Sequence, residues 1–201
     1  MSASKMLTKR ENYLSAGVHI GTTLKTKDMS RFIYKTRPNG LGVLNVSELD
    51  RRLQMLAKYM AKNNVLVVGR SRNAKKPLEK FSEATGIRVI AGRFMPGTLT
   101  NHQSKNYIEP DAVLLVDPST DKQAMKEAIK SRLPVFAICD TFNTASYVDF
   151  IIPANNKSRK SIGLIFYLLA RQVLLERREI KSSREFKYKP KDFIGEELGK
   201  K

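Results

Sequence analysis

Val65-Leu66-Val67-Val68, followed at once by Gly69-Arg70-Ser71-Arg72, is the stretch that decides the fold of this chain. An unbroken apolar run rich in β-branched residues suits a strand buried on both faces, and such strands belong to parallel sheets. The same pattern returns at residues 87–91, 112–116, 135–139 and 150–152. Between these runs, residues 73–85 and 120–132 have the periodicity of amphipathic crossover helices, and residues 92–110 make a looser connection. Asp117-Pro118 reads as an N-cap followed by proline at the first helical position. A βαβ succession with right-handed crossovers predicts an α/β fold. Its form would be a three-layer doubly wound parallel sheet, flavodoxin or Rossmann-like, in the order 2-1-3-4-5 counted from Val65.

Upstream, residues 47–63 make a helix with Leu49, Leu53, Leu56 and Met60 on one stripe and with Ser47 and Asp50 at capping-box spacing. Ahead of it, residues 31–46 contain Arg37-Pro38-Asn39-Gly40, a turn sequence able to join two short strands. Downstream, residues 158–179 read as a long helix whose apolar positions, from Ile162 to Leu175, cover most of its circumference and require deep packing. Residues 180–191 hold many bases and no regular pattern, which predicts an arm ordered only by a partner. The expected organisation is a basic N-terminal extension, 1–30, an α/β domain, 31–179, and a basic C-terminal arm, 180–201.

The charge distribution points to the partner. The formal net charge is +18 over 201 residues. Residues 1–40 carry +6 and residues 155–191 carry +8, while the long middle segment, 41–154, carries only +5. A compact body with basic ends calls for a polyanion, and nucleic acid is the expected one. No run of about 18 apolar residues is present to cross a membrane. The beginning, MSASKMLTKREN, lacks an apolar leader, and Cys139 is the only cysteine, so no internal disulfide can form and a cytoplasmic address is expected. Cys139 itself ends an apolar run and reads as a small buried hydrophobe.

The residues after the first strand run Arg70-Ser71-Arg72-Asn73-Ala74-Lys75-Lys76, with neither the G-x-G-x-x-G nor the G-x-x-x-x-G-K-[ST] pattern. A base-loaded helix start suits the phosphates of a large ligand better than a buried cofactor. Asp117 and Asp140 follow strands on one side of the sheet, as in an acidic receiver pocket. The capping role expected of Asp117 and the lack of a second acid beside it argue against catalysis or metal binding. His19 and His102 have no Cys or paired acid at ligand spacing and read as hydrogen-bonding or phosphate-contact residues. Arg31-Phe32-Ile33-Tyr34-Lys35-Thr36-Arg37 is either a surface for phosphates and bases or an ordinary strand with Phe32 and Tyr34 on one face. In Asn155-Asn156-Lys157-Ser158-Arg159-Lys160-Ser161, cations crowd a helix end that is already positive, which predicts an external anion.

The chain resembles the small-subunit ribosomal protein family called S-two in bacteria and S-A, or laminin-receptor precursor, in eukaryotes. The resemblance runs over residues 14–175. It is carried by Ala16-Gly17-Val18-His19-Ile20-Gly21, Arg37-Pro38-Asn39-Gly40, Gly92-Arg93-Phe94-Met95-Pro96-Gly97-Thr98-Leu99-Thr100-Asn101, Asp149-Phe150-Ile151-Ile152-Pro153-Ala154-Asn155-Asn156-Lys157 and Leu168-Leu169-Ala170-Arg171. Residues 102–111 stand where bacterial members insert a helical hairpin, and the acidic tail of animal members is missing, so the archaeal form is expected.

The resemblance implies a structural, non-enzymatic protein that binds small-subunit rRNA at the junction of head and body, late in assembly and near the exit of messenger RNA. Its implied partners are that rRNA and neighbouring small-subunit proteins, with no cofactor, metal, membrane or small-molecule substrate. The expected RNA-binding residues are Lys5, Lys9, Arg10, Lys25, Lys27, Arg31, Lys35, Arg37, Arg70, Arg72, Lys75, Lys76, Arg93, His102, Lys105, Lys157, Arg159 and Lys160. Two other classes stay open at this stage: a doubly wound enzyme or phosphate-dependent switch built on Asp117 and Asp140, and a surface protein for heparin or acidic lipid.

Overall fold

A computed structural model describes residues 6–183 and 185–195, so Lys5 lies outside the described residues. Strand β3 (Val65–Gly69) has parallel neighbours on both edges, β4 (Val89–Ala91) and β5 (Ala112–Leu115), and is buried along its whole length because both faces of the sheet are covered. Beyond β5 lie β6 (Val135–Cys139) and β7 (Phe150–Pro153), also parallel, giving the order β4-β3-β5-β6-β7. Period-two alternation then splits the strands between two cores. Val65, Val67 and Leu114 face α2 (Val46–Lys62), α3 (Arg72–Thr85) and α5 (Arg159–Glu176), where Leu53, Met60, Phe81, Ile165 and Phe166 are fully buried. Leu66, Val68, Val113 and Leu115 face the other way. That second layer is thinner than a doubly wound sheet would suggest. It holds one nine-residue helix, α4 (Lys122–Lys130), and is completed by Phe32, Leu44, Phe94 and Leu99. Phe32 and Leu44 flank an antiparallel hairpin of β1 (Ile33–Thr36) and β2 (Gly42–Leu44), closed by the expected turn with Gly40 at φ 82°.

Two helix starts differ from their expected caps. α2 is capped by Asn45, whose side chain accepts from the Ser47 and Glu48 amides at 3.0 and 3.4 Å, and not by Ser47. Because β2 ends at Leu44, the chain is still extended at Asn45, which is the conformation a cap needs. α4 begins at Lys122, well after Pro118. The Asp117 carbonyl accepts from the amides of Thr120 and Asp121 and its Oδ1 from the Ser119 amide, closing a separate turn ahead of the helix.

Among the described residues, the basic N-terminal extension and the arm expected to be ordered only by a partner each carry a packed helix. α1 (Arg10–Ser15) buries Tyr13, whose hydroxyl donates to Asp50 at 2.7 Å, and the Leu7 amide donates to the same oxygen at 2.9 Å. Arg171 of α5 donates to the Leu7 carbonyl at 2.5 Å. At the other end α6 (Pro190–Ile194) packs on α5, and Phe186 and Phe193 are buried against Tyr167. A few large apolar anchors are enough to seat segments whose average composition is charged.

Residues 21–26 cross the carboxyl ends of the strands. The Thr22 amide donates to Thr141 Oγ1 at 2.9 Å, and Thr26 Oγ1 donates to the Asn143 carbonyl at 2.7 Å. Only a glycine fits where the segment meets the residues just after β6, because a Cβ at Gly21 would stand 2.9 Å from Thr141 Oγ1 and 3.0 Å from Asp140 Oδ1. Gly21→Ala is therefore expected to cost about 1–3 kcal/mol through overpacking. Urea unfolding would register this as an earlier midpoint with an unchanged slope; a midpoint equal to that of the parent would show the segment to be loosely held.

Candidate nucleic-acid interface

The carboxyl ends of the parallel strands carry a basic groove. Arg70 emerges from β3 and Arg93 follows β4. With Ser119, Thr120, Lys122 and Lys126 they line a cavity of about 650 Å³. Among the described residues none of Arg70, Arg93, Lys122 and Lys126 forms an ion pair, so their charge is available to a ligand. Lys122 and Lys126 were not among the expected residues; their spacing of four, on one face of α4, was the available signal. Arg93 also lines a neighbouring cavity of about 410 Å³ with Arg88 and Lys105. His102 is exposed and lies against the Tyr107 ring, 4.4 Å between centroids.

A second cluster forms where the starts of α3 and α5 meet, joined by a 2.7 Å bond from Asn73 Nδ2 to the Lys157 carbonyl. Arg72, Lys75, Lys76 and Lys160 are exposed there. The three cations expected to share a phosphate around Lys157 are not equally placed. Lys157 is half-exposed with its Nζ 2.6 Å from Asp117 and 4.8 Å from the Phe142 ring centroid, Arg159 is half-buried, and Lys160 is exposed. Asn155 Oδ1 accepts from the Lys157 and Ser158 amides at 2.9 and 3.0 Å, so an internal oxygen already meets part of what an external anion would have supplied.

The third cluster surrounds the hairpin. Lys9, Arg10, Lys27, Arg31, Lys35 and Arg37 are exposed, and Lys25 donates to Thr36 Oγ1 at 3.0 Å. Phe32 and Tyr34 do not share a face. Phe32 is buried beneath the Arg31 and Arg52 guanidinium groups, whereas Tyr34 stands open to solvent.

The acids between these clusters are internally committed. Asp117 Oδ1 accepts from the Ser119 amide at 3.0 Å and Asn143 Nδ2 at 3.1 Å, and Oδ2 accepts from Thr120 Oγ1 at 2.7 Å and Lys157 Nζ at 2.6 Å. Burial works against its charge, yet Lys157, Thr120 and Ser119 together hold the Asp117 carboxyl below the usual range. A second acid does stand beside it. Asp121 accepts from the Arg70 amide at 2.9 Å and from the Asp117 amide at 3.2 Å, bridging the diverging ends of β3 and β5. In an open α/β sheet that divergence is where a ligand binds, and here a carboxylate of the chain itself occupies the backbone donors. Burial pushes Asp121 up to about 6, and it does the same to Asp140, which accepts from the Thr141 amide at 2.6 Å. Cys139 is fully buried, and burial with Asp117 and Asp140 nearby pushes its thiol up to about 12, far from a working nucleophile. Among the described residues no group of His, Cys, Asp and Glu could hold a metal ion.

A raised carboxyl pKa has a definite sign. Between the ordinary value of 3.8 and about 6, the folded chain binds more protons at Asp140 than the unfolded chain does, so that site adds stability as pH falls. His19, whose pKa is lowered mainly by burial and then by Arg37, acts in the opposite direction over the same range. The comparison must therefore be with a variant that keeps His19. From pH 7 to pH 5 the parent should gain melting temperature relative to Asp140→Asn. Parallel melting curves across that range would show that Asp140 titrates normally.

A family model described as Ribosomal protein S2 matches residues 13–109 and 103–175 of the chain. Small ribosomal subunit protein uS2 of Methanococcus maripaludis strain C6 is 46% identical over 191 residues, 94% of this chain and 86% of the relative. The protein of the same name from strain C5 is 46% identical over 94% of this chain and 87% of its own length, and that from strain DSM 14266 is 45% identical over the same shares.

Proposed function

This chain belongs to the ribosomal protein S2 family, and we propose that it is a structural constituent of the small ribosomal subunit that binds small-subunit rRNA at the head-body junction. In this reading it supports late assembly and translation in the cytoplasm, and docks against neighbouring ribosomal proteins. The observation that carries the reading is the set of exposed cations along the carboxyl ends of the strands, Arg70, Arg93, Lys122 and Lys126 foremost, that form no ion pair among the described residues. Phosphates are the partners that such cations lack. Residues 31–179 form the RNA-binding domain, and the flanking segments contribute Lys9, Arg10, Lys25 and Lys27. The chain has no turnover of its own, a reading supported by the Asp121 carboxylate lying across the position where an enzyme of this architecture would hold substrate. No helix among the described residues is long and apolar enough to cross a membrane.

The competing reading is a general polyanion binder. Filter binding with a small-subunit rRNA fragment, challenged by heparin at physiological salt, separates the two. Retention of rRNA against a mass excess of heparin is expected; equal displacement would favour the polyanion binder.

A further inference from the structure

The two edges of the five-stranded sheet are finished differently. At β7 the Arg52 guanidinium donates to the Ile151 carbonyl at 2.9 Å and lies over the Phe150 ring, and Pro153 has no N–H to offer. β4 has no such cover. The Val67 amide donates to the Arg88 carbonyl at 3.1 Å and the Gly92 amide to the Gly69 carbonyl at 3.0 Å. By the alternation of a parallel ladder, the main-chain groups of Arg88, Ile90 and Gly92 therefore face β3, and the N–H and C=O of Val89 and Ala91 point away from the sheet. Among the described residues those four groups meet no hydrogen-bond partner, and β4 is partly exposed along its length where the central strands are buried. Beside this edge opens a cavity of about 410 Å³, lined by Arg88, Ile90, Arg93, Met95, Lys105 and Tyr107, with Met95 half-exposed. None of its three cations is in an ion pair among the described residues. We infer that β4 takes an extended segment of a partner protein as an added strand. An apolar side chain of that segment enters the cavity, and acidic side chains two positions to either side meet Arg88 on one flank and Arg93 with Lys105 on the other.

The occupant follows from the chemistry of the edge. Side chains alternate along a strand, so Arg88 and Ile90 share the face that carries the cavity, and a residue set beside Ile90 on an added strand shares it too. The outward edge presents donors and acceptors in turn, and another peptide backbone answers both. Phosphates answer only the N–H groups and would leave the Val89 and Ala91 carbonyls unpaired. A second copy of the chain joined edge to edge would bring its own Arg88 and Arg93 against these, like charges meeting across the strands. A short edge with basic flanks is also how sheets avoid pairing, but that device does not call for a part-apolar recess beside it. This inference rests on the part of the reading above in which the chain docks against neighbouring proteins, and it is independent of the RNA contacts.

The test measures fluorescence anisotropy of the full chain with a short labelled peptide centred on Glu-Thr-Val-Thr-Glu and with its Lys-Thr-Val-Thr-Lys counterpart. Saturable binding of the Glu peptide is expected. Ala91→Pro removes only an outward N–H and sets a ring where the added strand would lie, a change that an edge strand tolerates. It should weaken binding about tenfold or more with a melting point close to that of the parent. Arg88→Glu, an exposed change, should weaken the Glu peptide about threefold or more and strengthen the Lys peptide. N-methylation of alternate amides in the peptide should abolish binding in one register and spare it in the other. No binding of the Glu peptide by the parent, equal losses with both methylated registers, or parental affinity in both variants would overturn the inference. None of these outcomes touches rRNA retention, which tests the ribosomal reading separately. Loss of rRNA binding in Ala91→Pro with peptide binding intact would make the edge an RNA site, and a concentration-dependent dimer lost in Ala91→Pro would make the occupant a second copy; either would overturn the inference as well.

Discussion

Asp117→Ala is expected to destabilise the fold by about 2–4 kcal/mol, well beyond the ~1 kcal/mol of a lost cap. The carboxylate receives four donors, from Ser119, Thr120, Asn143 and Lys157, that join the ends of β5, β6 and β7. Removing it leaves the buried Asn143 amide short of an acceptor. Lys157, with a half-exposed side chain, can turn to water, which is why the loss falls below that of a fully buried pair. At about 2–4 °C per kcal/mol for a domain of this size, the melting point should fall on the order of 10 °C. A fall of only two or three degrees would reduce Asp117 to a turn cap. Because its pKa is lowered in the folded state, the contribution is present at pH 7 and is lost as pH falls through the range where Asp117 protonates.

Reversing Arg70, Arg93, Lys122 and Lys126 together to Glu is expected to weaken binding to small-subunit rRNA on the order of a hundredfold or more. The slope of log affinity against log salt should flatten by about 4. The fold should survive, since all four side chains are exposed and none is in an ion pair among the described residues; the Arg70 amide that meets Asp121 is untouched by a side-chain change. An unchanged slope with a normal melting curve would move the RNA site elsewhere. The same experiment at Lys157, Arg159 and Lys160 would be ambiguous, because Lys157→Glu places a carboxylate against Asp117 and confounds binding with folding.

The parallel sheet was legible because each strand is a continuous apolar run and the connections alternate in period, both local properties of neighbouring residues. The basic strand ends were legible at Arg70, Arg72 and Arg93 for the same reason. What escaped depends on residues far apart in the chain. Asp117 and Lys157 stand 40 positions apart and Asp121 meets Arg70 across 51, so neither that ion pair nor the carboxylate at the strand divergence leaves a mark in any short window. The terminal segments misled through their averages: net charge predicts disorder, while Tyr13 and Phe193 each supply a fully buried aromatic that a composition count dilutes. At Asn45 the error was one of register, since cap residues stood at both Asn45 and Ser47 and only the end of β2 chooses between them. Lys122 and Lys126 carried a visible spacing, but many solvent-facing helices carry the same one.

Sedimentation of the chain with small ribosomal subunits through a sucrose gradient after a moderate salt wash bears most directly on its role. Near-stoichiometric recovery in the small-subunit fraction is expected, with the Arg70, Arg93, Lys122 and Lys126 variant depleted from it. Recovery of the folded parent chain only at the top of the gradient, beside subunits that lack it, would contradict a ribosomal function.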